Sequence, residues 1–189
     1  MIGIMLQLYK EQHVGMKNNK QKERSSLWII EALFLLMKNK PFNEITITEI
    51  ADKAGVSRLT YYRNFSSKED IILKYYDIMF EEFLLMFDNI NKEEIDLKRL
   101  IIMSFERFEE KQDQVRLLIR NDLTHLLLTP FSNYITRALE KINIPSSIDY
   151  FQLKFIEGGL FYTLFNWTKD NKNYTPEQLA ENILDIVKH

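Results

Sequence analysis

The chain has 189 residues, 46% of them apolar, with 25 Lys/Arg against 27 Asp/Glu; this length supports one large core or two smaller ones. It contains no cysteine, which excludes a disulfide framework, a thiolate metal site and a cysteine nucleophile, and no apolar run approaches the roughly 20 residues needed to cross a bilayer. The charge is uneven: residues 16–68 carry ten Lys/Arg and five Asp/Glu, whereas residues 69–189 carry fourteen and twenty-one, the footprint of a basic nucleic-acid-binding segment on an acidic body.

Residues 1–15 start apolar but lack a basic leading region and a small-residue cleavage site, so they do not read as a signal peptide. Met16 precedes Lys17, Lys20, Lys22 and Arg24. This predicts that residues 1–15 derive from an upstream start codon and that residues 1–23 form a flexible extension with a basic arm. A first helix is expected over about 25–39, with Trp28, Ile29, Ala32, Leu33 and Leu36 as its apolar stripe and Pro41 ending it. Thr46 and Glu49 spell a capping box that starts a helix near Ile47. Ile50, Ala51 and Ala54 share one face, Gly55 takes the reversal, Val56 fills the gap, and Ser57 caps a second short helix to Asn64. Ser66 or Ser67 caps a third, with Glu69 and Asp70 at its positive end. Two short helices joined by a glycine turn form the DNA-binding helix-turn-helix pattern, which sets a DNA-binding domain at 24–70 and a regulatory body at 71–189.

From Lys68 a helix runs to about Phe87 through Ile71, Ile72, Tyr75, Tyr76, Met79, Phe80 and Phe83; it is too long for the head alone and reads as a bridge. After a polar linker, helical periodicity covers 95–111, 114–128, 131–142 (opened by Pro130), 149–170 and 175–188, the last with Thr175 as cap, Pro176 first and Gln178 third. No alternating β pattern and no repeat occurs, so the fold class is all-α, about nine helices, a helix-turn-helix head on a helical-bundle body. Residues 155–167 are apolar on nearly every side, which marks a helix that is buried or lies between chains. Gly158 and Gly159 cost about 1 kcal/mol each against alanine, so a close backbone approach is expected there.

Catalytic chemistry finds no constellation. His13, His125 and His189 have no metal-ligand neighbour at helical spacing, no phosphate loop or nucleophile elbow occurs, and the pairs Glu81-Glu82, Glu93-Glu94 and Glu109-Glu110 point apart as solvated faces. The reading is no enzyme, no metal and no cofactor. The aromatic residues of the body are core first. A subset, with Arg116, Arg120, Asn121, His125, Tyr134, Glu157, Tyr162 and Asn166 as polar groups, is the candidate pocket for a small effector.

Thr46, Ile50-Ala51, Ala54-Gly55-Val56-Ser57, Thr60, Tyr62, Phe65 and Lys68-Glu69, within about residues 24–72, resemble the TetR family of bacterial transcriptional regulators. Tyr61 stands where the family usually has Leu or Phe, and Leu59 where small or polar residues are common; both departures are expected to alter which bases are read. The resemblance implies a cytoplasmic homodimer that lays the helix Ser57–Asn64 in the major groove of a palindromic operator. Ser57, Arg58, Leu59, Thr60, Tyr61 and Arg63 then meet bases or phosphates, and Thr46, Tyr62 and Lys68 hold the DNA backbone. It further implies a repressor released by a ligand, and a four-helix dimer interface from the last two helices, with Phe155, Gly158, Gly159, Tyr162, Phe165, Leu179, Ile183 and Ile186. Gly158-Gly159-Leu160, Trp167 and Thr175-Pro176-Glu177-Gln178 resemble regulators of dihydroxyacetone kinase operons. They suggest the alternative of an activator or adaptor whose body binds a protein coactivator.

Overall fold

The computed structural model describes residues 17–88, 96–141, 149–169 and 174–187; the expectations for residues 1–15 lie outside them. The described residues form nine α-helices and no strand: α1 Lys17–Met37, α2 Ile47–Ala54, α3 Arg58–Asn64, α4 Lys68–Asp88, α5 Leu97–Glu110, α6 Gln112–Arg120, α7 Leu128–Lys141, α8 Tyr150–Lys169 and α9 Pro176–Val187. The chain divides into two compact units, the first to Ile78 and the second from Met79, with the division inside α4.

In the first unit, α1 begins eight residues earlier than expected, so residues 17–23 are helical. The stretch holds no glycine or proline and many good helix formers, and Ser25 sits inside the helix, donating to the Lys22 carbonyl at 2.8 Å. Its core face is Leu27, Ile29, Ile30, Leu33, Phe34 and Met37. Trp28, expected in the stripe, is 44% exposed and carries the Arg24 guanidinium 5.2 Å above its ring. Onto this face pack Ile50 and Ala51 of α2, Tyr61 of α3, and Ile71, Ile72 and Tyr75 of α4, all 0% exposed. Each isoleucine among them contributes roughly 1.5–3 kcal/mol on burial.

The second unit packs α5, α7 and α8 through aromatic rings. Phe80 of α4 stacks on Tyr134 of α7 at 4.8 Å, Phe131 meets Phe161 of α8 edge-on at 5.5 Å, and Phe105 of α5 meets Trp167 at 5.2 Å. The Trp167 indole donates to the Tyr174 carbonyl at 2.9 Å, anchoring the start of the last segment. There Thr175 and Gln178 exchange capping bonds as expected. The periodic stretch 114–128 is not one helix. It ends at Arg120, Asp122 takes a left-handed φ of 56°, and a 3-10 turn covers Thr124–Leu127. Pro130 lies in the first turn of α7, where its missing amide leaves no intrahelical bond unmade. An ion pair joins Arg107 to Glu82 at 2.7 Å.

Candidate nucleic-acid interface

Local chemistry shapes the reading head. The Thr46 hydroxyl accepts from the Glu49 amide at 3.2 Å, and the Glu49 carboxylate accepts from the Thr46 amide at 2.8 Å, a closed capping box. Gly55 adopts φ 67°, a conformation that costs any residue with a Cβ, and Val56 returns its amide to the Ala51 carbonyl at 3.0 Å. Ser57 caps α3 by accepting from the Thr60 amide at 3.1 Å. Ser67 caps α4, accepting from the Asp70 amide at 3.1 Å, while Asp70 accepts from the amides of Ser66 and Ser67.

The result is a seven-residue α3 with Ser57, Arg58, Leu59, Tyr62 and Arg63 exposed and Thr60 partly so. Leu59 is 61% exposed, which no packing within the unit explains. These side chains provide two guanidiniums, hydroxyls and an apolar branch, the groups that pair with guanine edges, phosphates and thymine methyls.

One expected contact, Tyr61, is corrected, and two others, Lys68 and Thr46, also hold partners inside the head. Tyr61 does not face outward: it is 0% exposed, packed against Phe65 at 6.2 Å, and burial pushes its phenol up to about 12. One residue is a 100° turn of a helix, so its neighbours Thr60 and Tyr62 point away while Tyr61 points into the core. Lys68 turns inward as well: its ammonium donates to the carbonyls of Phe42 and Ile45, each at 2.7 Å, and lies 4.6 Å over the Phe42 ring. Burial holds its pKa below the usual lysine range. Two of its three protons are thus spent closing the loop before α2. Thr46 is exposed, but its amide and its hydroxyl proton both go to Glu49.

Residues 29–75 match the sequence profile of bacterial regulatory proteins, tetR family, the span that contains this whole arrangement. Over these residues the head is that of the tetR family. It is 20% identical over 186 residues to the fatty acid metabolism regulator protein of Bacillus subtilis, covering 89% of this chain and 96% of that one. Among solved structures, Lin0861 from Listeria innocua superposes with a TM-score of 0.73 at 18% identity, over 94% of this chain and 95% of that chain. FadR from Bacillus subtilis in complex with stearoyl-CoA superposes with a TM-score of 0.53 at 17% identity, over 85% and 96%. At such identities the superpositions show a shared fold. The matched family is one of bacterial regulatory proteins, and the relative matched over 96% of its length is named a regulator. Among the described residues, no helix is long and apolar enough to cross a membrane.

In the second unit the expected effector residues do not converge. Arg116, Arg120, His125, Tyr162 and Asn166 are exposed. The His125 ring nitrogen pairs with the Asp122 carbonyl at 2.9 Å, and the Asn121 and Asn166 amides cap their own helix turns. Glu157 is buried but satisfied by the Ser132 hydroxyl at 2.6 Å, the Thr136 hydroxyl at 3.3 Å and the Lys154 ammonium at 2.7 Å. Tyr134 is buried and shares a 3.2 Å hydrogen bond with Ser104. That Ser104 lines a cavity between α5, α7 and α8 whose other walls, such as Leu100, Phe131, Ile135, Ile156 and Leu160, are apolar. Its open space of about 20 Å³ has room for roughly one water. Sequence reasoning sought polar residues and missed this cavity, because aliphatic residues on three helices look like ordinary core.

The α8 helix is two-sided. Phe161, Leu164, Phe165 and Trp167 are buried, while Phe151, Phe155 and Tyr162 are 80%, 69% and 68% exposed. Two expected interface residues, Phe165 and Leu179, are corrected: they belong to the protomer's core at 7% and 8% exposure. Ile183 is half-buried and Ile186 is exposed. Among the described residues, a Cβ added at Gly158 or Gly159 would meet nothing within 4 Å, so no close approach among them explains either glycine.

Proposed function

We propose that this regulator is a cytoplasmic, homodimeric repressor that occupies a palindromic operator and leaves it when an apolar acyl effector enters the body. The observation that carries the DNA half is the exposed face of α3, with Arg58, Leu59, Tyr62 and Arg63 standing outward over a buried Tyr61. Arg58 pairs with guanine and Leu59 packs on a thymine methyl; Ser57, Thr60, Tyr62 and Arg63 add contacts to phosphates. Such heads read half-sites one helical turn apart or a multiple of it, which requires two copies.

The second copy covers the aromatic stripe of α8. Phe151, Phe155, Gly159, Tyr162 and Asn166 recur at helical spacing on one exposed face, and two unhindered glycines let a second helix approach closely. Ile183 and Ile186 of α9 extend this face. For the effector, the support is the apolar cavity beside the Ser104–Tyr134 hydroxyl pair, together with the stearoyl-CoA named in the FadR complex. Among the described residues no charged side chain lines the cavity, so a chain of methylenes suits it and an anionic headgroup stays outside. Its small volume means that α5, α7 and α8 part on binding, which is how occupancy alters the body. A protein coactivator is the less favoured occupant, because the exposed apolar stripe is accounted for by the second copy.

The test is a selection of genomic DNA fragments with purified protein, followed by titration of stearoyl-CoA into the selected complex. Release of a symmetric fragment is expected. Selection of no preferred fragment defeats the operator reading, and a complex indifferent to stearoyl-CoA defeats the acyl effector.

A further inference from the structure

Both donors of Thr46 are committed to one carboxylate: its amide and its hydroxyl each lie 2.8 Å from Glu49 Oε2. Glu49 therefore sets a negative charge at the start of α2, the first helix of a motif whose first helix crosses the DNA backbone. A bare carboxylate there opposes the approach of phosphate and cancels the positive helix end. The head supplies a counter-charge. Lys40, in the turn after α1, places its Nζ 2.8 Å and 3.1 Å from the two Glu49 oxygens, its own amide bonding the Leu36 carbonyl at 3.1 Å. Both side chains remain in contact with solvent, at 33% and 40% exposure. Lys68 shares this neighbourhood, since the charges of Lys40 and Glu49 both act on it. Glu69 acts on Lys68 as well, so with Lys40 the four charges cancel, and without it they sum to minus one.

We infer that Lys40 is a positioning residue for DNA binding: it neutralises Glu49, so that Glu49 can hold Thr46 in the cap without repelling the phosphate backbone. The inference rests on the DNA-binding reading above. It concerns affinity for every sequence alike, because phosphates carry no base information. It is separable from folding, because exposed ion pairs contribute little stability.

The experiment uses the full-length chain and a short random-sequence DNA duplex, with affinity followed by fluorescence anisotropy across a salt series. The variants are Lys40→Met, Lys40→Arg, Glu49→Gln and the double variant Lys40→Met/Glu49→Gln. Glutamine at the third helical position keeps a capping box, and melting curves of each variant accompany the binding data. Lys40→Met is expected to weaken binding about three- to tenfold and flatten its salt dependence, and Lys40→Arg to match the parent. Glu49→Gln is expected to bind more tightly than the parent, and the double variant to recover what Lys40→Met lost. A cap that matters only for structure makes Glu49→Gln neutral or weaker and gives no rescue; that result overturns the inference, as does a Lys40→Met variant equal to the parent. If Lys40→Met melts early, Glu49→Gln alone decides. If the parent itself does not bind the duplex at low salt, the DNA-binding reading falls and the inference falls with it; if the parent binds and the series is flat, only the inference falls.

Discussion

Tyr61 and Tyr62 stand edge to face with ring centroids 5.4 Å apart, yet the first is fully enclosed and the second 50% exposed. One ring roots α3 in the head while its neighbour is offered to DNA. Among the described residues the buried Tyr61 hydroxyl has no hydrogen-bond partner, and such a group costs about 1–3 kcal/mol. Tyr61→Phe is expected to leave stability unchanged or raise it by about 1 kcal/mol, with no change in DNA affinity or base preference. Tyr62→Ala is expected to weaken binding to all sequences. Denaturant melts and a panel of single-base operator variants check this; a shift in base preference on Tyr61→Phe means that Tyr61 reaches the DNA after all.

Lys68→Met removes the donor to two backbone carbonyls. The Phe42 carbonyl keeps the Ile45 amide at 3.2 Å, but the Ile45 carbonyl loses its donor, which is expected to cost about 1–3 kcal/mol and to weaken DNA binding through a loosened start of α2. Urea denaturation measures the loss. A variant of parental stability that still binds poorly would place the lysine on phosphate.

The Glu49 carboxyl is held down to about 2 from 4.5 by the Lys40 ammonium first, and then by the amide and hydroxyl of Thr46. A carboxyl depressed in the folded state contributes stability that is fully present above its unfolded value and is lost as pH falls through the folded value. The stability difference between the parent and Glu49→Gln is therefore expected to be constant at neutral pH and to shrink between pH 4.5 and about 2. Denaturation midpoints across that range report it; a difference independent of pH shows that the carboxylate is not held by charge.

Gly159→Leu tests the second copy. The position is open among the described residues, and leucine favours helix over glycine by roughly 0.8 kcal/mol, so the subunit fold is expected to persist. Two helices that meet at Gly159 are held apart, and sedimentation velocity is expected to show a monomer that no longer binds the operator. A dimer of normal mass puts the interface elsewhere.

Arg58→Ala is expected to cost about 1–3 kcal/mol and to relax preference at one base pair if the contact is bidentate. Equal losses on every base variant would assign Arg58 to the backbone.

What the sequence determined by itself is local. The capping boxes at Thr46–Glu49 and Thr175–Gln178, the Ser57 cap and the left-handed Gly55 are closed by residues at most four positions away, so spacing alone is enough to place them. The helix count and the helix-turn-helix followed from these caps and from apolar periodicity. The tertiary structure decided the direction in which each side chain faces. Tyr61 rather than Trp28 entered the head core. Lys68 turned to Phe42 and Ile45, 26 and 23 positions away. Of the aromatic residues on α8, Phe165 went inward against Phe108 while Phe155 stayed outside. An evenly apolar helix offers several equivalent faces, and only the partner helix that docks on one of them, buried at the expense of the others, settles which residues become core and which remain free to bind.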